Sequence, residues 1–531
     1  MDPVLGFALI IFPIVLALVM LVFLHKAADT TGVVVWLVTV LIAVFAFQTD
    51  IMVALVSSVA GIVNSFPISL MVATSILMMT YMQETGALQR LIVFFKTLGG
   101  GSRPMQIMMI SLGLGLFLVG IGATPVSMLP PVMLALGFSP LVAVALPAIG
   151  YDPLTTFALL GVPAVVFRDT YSAVSGTSVT LSEAGGVFAL YMPVITTGIA
   201  ISMLWIAGGR KLLAQKEGLL LAGICGVTAG FIAIVCNTAF VNQTTLTDVF
   251  AGAAVMAVLF AYNRIRKRPM IDKSVLTEKD IQVQQSLSLS RASIPWVILV
   301  VLCLVTNLIP SVKDLLYNQL AMGIVIDGYP RAISTRVLWQ AYTLMLVATL
   351  ASIPFLKRDR VTLRNTLSKF SKRAPRPVLA AAIFFAMAEV MNYSGYFVSV
   401  GTWTSPGDPS NNMIYLLATA TSSTLGIAYP LTAAFLGLLA GFISGSETSA
   451  IAMFTKYHYQ ASTLIGANSL VVAASNGIGG GLASVLSPAK IQNAAAVIDQ
   501  IGIEGHVIRY GVVVAVLMTA VVAVMTMFWA F

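Results

Sequence analysis

Residues 511–529 read GVVVAVLMTAVVAVMTMFW, nineteen residues without one charge. At the helical rise of about 1.5 Å per residue, that length matches the ~30 Å hydrocarbon core of a bilayer. Residues 4–24 and 219–236 repeat the pattern, again with no charged side chain. A membrane-spanning strand would be about 10 residues long and would alternate apolar with polar, so these continuous runs are helices. The rest of the chain agrees with this reading: 58% of its 531 residues are hydrophobic and only 9% are charged. A water-facing surface needs roughly 25% charged residues, and this composition cannot supply it. The expected fold is an all-α polytopic protein of the inner (cytoplasmic) membrane, with about 12–14 transmembrane helices plus re-entrant or broken ones. No basic segment precedes the first apolar run and no small-residue cleavage site follows it, so it reads as a retained span and not a signal peptide. Cys225, Cys236 and Cys303 all fall inside apolar segments and suggest buried packing, with neither a disulfide framework nor a metal motif.

The net charge of +9 is concentrated between spans. Arg90, Lys96 and Arg103 form one group, and Arg210, Lys211 and Lys216 the next. The linker 263–291 and the segment 357–376 hold most of the rest. Under the positive-inside rule all four segments are cytoplasmic, which puts the N-terminus and the acidic, base-free loop 402–411 outside. The charge is then a topology signal that also meets anionic lipid, and a nucleic-acid partner, which would need a basic folded face with aromatics, is not expected.

The apolar segments are interrupted by Gly, Pro, Ser and Thr at membrane depth. Unpaired backbone in hydrocarbon costs several kcal/mol per group, so such breaks survive only inside protein or beside a watery cavity, where transporters build their substrate sites. The first half has Gln83-Glu84-Thr85-Gly86, Gly120-Ile121-Gly122-Ala123-Thr124-Pro125 and Gly161-Val162-Pro163. The second has Asn392-Tyr393-Ser394-Gly395, Gly445-Ser446-Glu447-Thr448-Ser449, and Gly479-Gly480-Gly481 with Ser487-Pro488, in the same order and at similar spacing. Small-residue packing accounts for any single cluster. The paired pattern suggests two repeats, 67–208 and 378–531, in inverted orientation if an odd number of crossings separates them. Scaffold helices would then occupy 1–66 and 209–377.

The stretch Asn392–Gly395, then Gly445–Ser449, then Ala473-Ala474-Ser475-Asn476-Gly477, then Ser487-Pro488 resembles the L-lactate permease family. Leu136-Gly137-Phe138-Ser139-Pro140 and Gly161-Val162-Pro163 extend the likeness into the first half. The resemblance implies a proton-coupled carrier of lactate or glycolate, working by an elevator-like or rocking movement. Two departures concern charge. The family's first-half Glu-Gly-Ala-Ala-Gly-Phe-Gly-Ala-Pro is shorter here and has Val119 before Gly120 in place of the acid. A Lys usual before the Ser-Pro turn is replaced by Ser484, while Lys490 follows the turn.

Carboxylate recognition calls for hydroxyls and free helix N–H groups, and Ser446, Thr448 and Ser449 are the candidates, with Thr124 in the matching first-half break. Each hydroxyl could instead satisfy a free backbone carbonyl. Asn476 suits a 2-hydroxy group or a hairpin cap, and Tyr393 and Ser394 join the substrate candidates through the family motif. A carboxyl at membrane depth is costly when ionised, so Glu447 is the foremost candidate to carry the symported proton, or to contribute a Na⁺ ligand. Glu389 is a second proton-coupling candidate or a structural pair, and Lys490 is placed to offset substrate charge or to pair with Glu447. Arg168-Asp169 reads as an interfacial ion pair and Asp152-Pro153 as a turn or helix start. His25, His458 and His506 have no ligand spacing, and no Walker loop or dinucleotide fingerprint appears. Metal, cofactor and enzymatic chemistry are therefore not expected, and H⁺ is the expected coupling ion with Na⁺ the alternative, in a carrier of another small organic anion. A small carboxylate and membrane lipid are the expected partners; the oligomeric state is open.

Overall fold

A computed structural model describes every residue except 1, 2, 21–23, 25, 99–101, 124, 151, 270, 275, 400 and 501. Among the described residues, ten helices are long and apolar enough to cross a membrane, and seven shorter apolar helices accompany them. Helices begin where polar residues can satisfy their free N–H groups. Thr180 and Glu183 form a capping box ahead of Leu181–Leu213, and the Ser288 hydroxyl accepts from Arg291 N ahead of Leu289–Leu308. Among the described residues, strand structure is confined to two hairpins, Met322–Ile324 with Ile333–Thr335 and Phe397–Ser399 with Thr402–Thr404.

Side-chain size sorts the faces of each span. On Lys216–Cys236 the small residues Ala222, Cys225, Gly226, Ala229, Gly230 and Ala233 are buried, while Leu219, Leu220, Val227 and Phe231 are exposed. Lipid tails are as apolar as Leu, so the large residues lose nothing by facing outward, and the small ones allow close helix approach. A Cβ on Gly226 would lie 2.4 Å from Thr197 Cα, and one on Gly230 would lie 2.4 Å from Pro193 Cα. Leu181–Leu213 and Lys216–Cys236 are thus packed backbone to backbone. The three cysteines are buried and free, as their apolar settings suggested.

The basic segments gather at one end of the molecule. Lys96 pairs with Asp280, Arg268 with Glu217 and Lys369 with Glu84, and these links tie all four segments together. The strand hairpins lie at the other ends of the same helices, with Tyr329 and Trp403 in edge-to-face contact.

Two helical hairpins position the site. Arg103–Ile107, the π-helical turn Met108–Leu114 and Gly115–Gly120 form the first arm of one, and Pro125–Ala135 returns antiparallel to it. The Ser111 hydroxyl on the first arm reaches Met133 Sδ on the second, which brings residues 120–123 to the tip. The other hairpin pairs Pro430–Ser444 with Glu447–Leu464, held at its base by Tyr429 Oη and His458 Nδ1 at 2.6 Å, with Gly445 and Ser446 at the tip. Each hairpin is flanked by the next helix in sequence. Pro140–Ile149 ends at Gly150, where a Cβ would meet Ser111 O at 2.5 Å. Ser469–Leu482 lies so close that a Cβ on Gly441 would meet Gly480 O at 2.3 Å. The two paired sequence breaks are therefore the tips of two similarly built units.

Candidate functional site

Gly445 has φ +68°, a left-handed conformation that costs a residue with a Cβ roughly 1 kcal/mol or more. It ends the first arm of the second hairpin, and Ser446 caps the next helix by accepting from Ser449 N. The chain reverses over two residues, and Glu447 is left on the first turn of the returning helix, facing inward and 2% exposed.

A broken helix meets this tip. Asp152–Phe157 is a 3-10 turn, and the helix Ala158–Ser175 that follows is interrupted at Leu159, Leu160 and Gly161, all with positive φ. The interruption turns Thr155 and Thr156 toward the second hairpin. The Thr156 hydroxyl donates to Glu447 Oε1 at 2.6 Å. Glu447 Oε2 has no partner among the described residues. It faces Gly481, where an added Cβ would lie 2.7 Å from it and 3.1 Å from Thr155 Cβ. Glycine at 481 thus leaves room beside the carboxyl oxygen and the threonine. Lys490, on Pro488–Val497, is within electrostatic reach of Glu447 and donates to Ser484 Oγ at 2.9 Å.

The structure brings several sequence candidates together here. Thr448 and Ser449 are buried next to Glu447, and Ser449 Oγ has no partner among the described residues. Asn476 is fully buried in the flanking helix and donates to Ala450 O at 3.1 Å. Thr124 lies outside the described residues. Its neighbours place the first tip nearby: a Cβ on Gly120 would lie 2.8 Å from Asp248 Cβ, and Asp248 is in turn within electrostatic reach of Glu447.

Tyr393, Ser394 and Glu389 occupy a different cluster. Glu389 accepts from Tyr329 Oη at 2.7 Å and from Asn64 and Asn392 Nδ2 at 3.0 Å each, with Arg331 at 3.6 Å. The Tyr393 ring packs edge-to-face on Tyr329, Tyr396 and Trp403, and the Lys456 ammonium stands 5.6 Å from its centre. Ser394 Oγ donates to Met391 O and accepts from Met413 N, fixing the turn into Met413–Leu425. These residues join the strand hairpins to the helix ends, away from the Glu447 tip. Arg168 pairs with Asp169 at 2.6 Å, and Arg336 joins them. A cavity of about 10 Å³, room for one water, lies beside the helix kink, lined by Leu160, Thr245, Asn307 and Trp339 among others.

The chain matches the L-lactate permease family over residues 7–531. It belongs to that family. The "L-lactate permease" of Escherichia coli K12 is 24% identical over 462 residues, covering 80% of this chain and 78% of that one. The "Glycolate permease GlcA" of the same organism is 22% identical over 572 residues, covering 98% and 95%. The solved structure of Neisseria gonorrhoeae MtrF, described with a class of antimetabolite efflux pumps, superposes with a TM-score of 0.47 at 12% identity, covering 95% of each chain. Family membership and the ten apolar helices together make the chain a multi-pass membrane transporter and not an enzyme.

Sequence reasoning missed Thr156, Lys456 and above all Asp248. Asp248 follows Thr244-Thr245-Leu246-Thr247, a polar run that looks like the end of a loop, yet the structure buries all of it. The available signal was an acid only one residue ahead of the apolar run that begins at Val249.

Proposed function

We propose that the chain co-transports a small 2-hydroxymonocarboxylate, such as L-lactate or glycolate, with protons, and that Glu447 is the proton-coupling residue. The observation that carries this reading is the state of the Glu447 carboxyl in a family of permeases: buried at a hairpin tip, one oxygen held by Thr156 and the other facing the gap at Gly481. A membrane-buried carboxyl without a direct cationic hydrogen-bond partner favours its neutral form, and it can ionise when the site opens to water. The substrate carboxylate is placed against Ser449 and the free N–H groups at the start of Glu447–Leu464, where the helix dipole favours an anion, with Thr448 and Ser446 beside it. Thr124 is assigned the matching position on the first tip. Asn476 serves the 2-hydroxy group, and Lys490 offsets the added negative charge.

The relatives named lactate and glycolate permeases support the substrate class, and the clustering of the basic segments supports a cytoplasmic assignment for that end in the inner membrane, with the N-terminus outside. The two hairpin units support transport repeats within 67–208 and 378–531, with 1–66 and 209–377 as scaffold. No cofactor is required, because the ion gradient supplies the free energy.

Purified protein in liposomes tests the reading. Labelled L-lactate or glycolate should accumulate under an inward pH gradient with no Na⁺ present. Glu447→Gln should abolish accumulation and spare exchange at equal pH. If neither anion moves, the substrate class fails. Accumulation that follows a Na⁺ gradient and ignores pH replaces H⁺ with Na⁺, and uphill uptake by Glu447→Gln removes the assignment of that residue.

A further inference from the structure

Two arginines share one carboxylate at the end of the molecule that carries the strand hairpins. Arg168 lies on Ala158–Ser175, and Arg336 directly follows the strand Ile333–Thr335. Asp169 serves both: its Oδ1 meets Arg168 Nε at 2.6 Å and its Oδ2 meets Arg336 Nη1 at 3.3 Å. Both guanidinium groups also stand over the Tyr317 ring, Arg336 at 4.4 Å and Arg168 at 5.5 Å from its centre. Trp339 packs edge-to-face on the same ring, with centres 4.8 Å apart. These contacts hold the five side chains in one cluster.

The cluster has more donors than acceptors. Arg168 Nη2, Arg336 Nε and Trp339 Nε1 are buried and have no partner among the described residues. Its charge is unbalanced too, with two guanidinium groups against one carboxylate. Among the described residues no second carboxylate pairs with either arginine. Asp314, one turn before Tyr317, is held by the amides of Asn318 and Gln319. A buried cation with unmet donors is costly, and a planar carboxylate is the ligand that satisfies a guanidinium fork. An ion pair that only clamped the chain would have no use for this surplus. Water reaches the cluster, because the Asp169 side chain is 42% exposed while those of Arg168 and Arg336 are 12% and 13% exposed.

The cluster is also connected to the helix break. Trp339 lines the small cavity whose wall includes Leu160, Val162 and Val165. These three residues follow one helix from its break toward Arg168, a helical distance of about 10 Å between Gly161 and Arg168. The segment just before that break carries Thr156, the donor to Glu447.

We propose that Arg168, Arg336 and Trp339 form a reception site for a small carboxylate, separate from the Glu447 tip, in which Asp169 holds the place of the ligand. The incoming carboxylate exchanges with the Asp169 side chain, which turns to water, and accepts from the guanidinium edges and the indole N–H. The site selects for negative charge before the anion enters the apolar interior. Competition from Asp169 keeps the arginines from retaining it. The ligand class rests on the carrier reading above, and the site rests on the geometry of the cluster.

Fluorine NMR of the full chain labelled with fluorotryptophan, in detergent, reads the site without transport, and acetate is the probe. Trp339 gives one of six tryptophan resonances, identified by its loss in Trp339→Phe. Acetate should move it saturably, and chloride at equal ionic strength should not. Arg336→Gln should weaken acetate by roughly 10-fold or more, the loss of one charge-assisted hydrogen bond. Asp169→Asn should bind acetate several-fold more tightly, because the competing carboxylate is gone. A Trp339 resonance that acetate leaves in place, or that chloride moves equally, overturns the proposal. So does weaker binding by Asp169→Asn, the result expected of a purely structural ion pair. Should either variant fail to fold, Arg336→Lys decides, since it keeps the charge and loses the fork: parental affinity overturns the site and a several-fold loss upholds it. In liposomes, Arg336→Gln should raise KM for L-lactate and keep kcat. Parent protein that binds acetate at Trp339 yet moves no lactate sinks the substrate reading and leaves the site standing. Lactate uptake by Arg336→Gln at the parental KM does the reverse.

Discussion

Replacing Gly481 by Ala should disable the site while leaving the fold in place. The new methyl would stand 2.7 Å from Glu447 Oε2, and ordinary contact begins near 3.4 Å, so the carboxylate must withdraw by 0.7 Å. Thr155 Cβ, at 3.1 Å, blocks escape on that side. Withdrawal along the Thr156 bond lengthens it from 2.6 Å toward 3.3 Å, beyond the range of a useful O–H···O bond. Leaving a buried hydrogen-bonding group without its partner costs about 1–3 kcal/mol, equivalent to roughly 5- to 150-fold in kcat/KM. The assay is initial uptake of labelled lactate into proteoliposomes, normalised to reconstituted protein, with thermal unfolding in detergent run alongside. Thr156→Val removes the same bond, so the double variant should fall little below either single one. Wild-type uptake by Gly481→Ala would refute the argument. So would full additivity with Thr156→Val, or a loss of uptake explained by unfolding.

Gly437→Ala should destabilise the hairpin by about 3 kcal/mol or more, because its Cβ would lie 1.9 Å from the backbone oxygen of Asn476, which cannot swing aside; a lowered thermal midpoint checks it. Gly223→Ala, with nothing within 4 Å of the new Cβ, should stay within about 0.5 kcal/mol of the parent. Glu389→Gln should lower thermal stability by about 1–3 kcal/mol through its bonds to Tyr329, Asn64 and Asn392 and leave the proton-to-anion ratio unchanged; a changed ratio would make Glu389 part of coupling. Burial pushes the Asp280 carboxyl up, but the Lys96 ammonium at 2.8 Å and the Thr277 N–H and hydroxyl outweigh it and hold Asp280 below its usual range. A carboxyl depressed in the folded state stabilises above its unfolded pKa of about 3.9 and loses that contribution as pH falls through the folded value. Hydrogen exchange in Glu278–Ser286 should therefore quicken only below about pH 4, and Asp280→Asn should abolish the pH dependence.

The spans were legible because lipid leaves no other reading of uncharged runs such as 219–236. The breaks at Gly120 and Gly445 were legible because backbone cannot stay unpaired in hydrocarbon. Glu447 stood out as a candidate because an acid at membrane depth is costly and because it sits in the Gly445–Ser449 break. Pairings in space were another matter. Tyr393 and Ser394 share a motif string with Glu447, but sequence order says nothing of distance, and 50 residues of chain put them in the Glu389 cluster. Thr156 looked like one more hydroxyl in an apolar run, where such groups usually bond the preceding turn. Asp248 was hidden by its neighbours. Three threonines among the four residues before it imitate a helix cap at the membrane surface, and the burial of the whole run shows that it is interior.

The glycines along Pro430–Ser444 and Ser469–Leu482 have a mechanical consequence. With Gly437, Gly441, Gly479 and Gly480 each in backbone contact across this interface or against Glu447–Leu464, the three helices mesh like gear teeth without clearance. Sliding by even a fraction of a turn would drive Cα atoms into carbonyls. Any stroke that displaces Ser446–Ser449 must therefore take Asn476 along at fixed distance, and the compliance has to reside outside the three helices, as at the turn Gly426–Ala428 that precedes them.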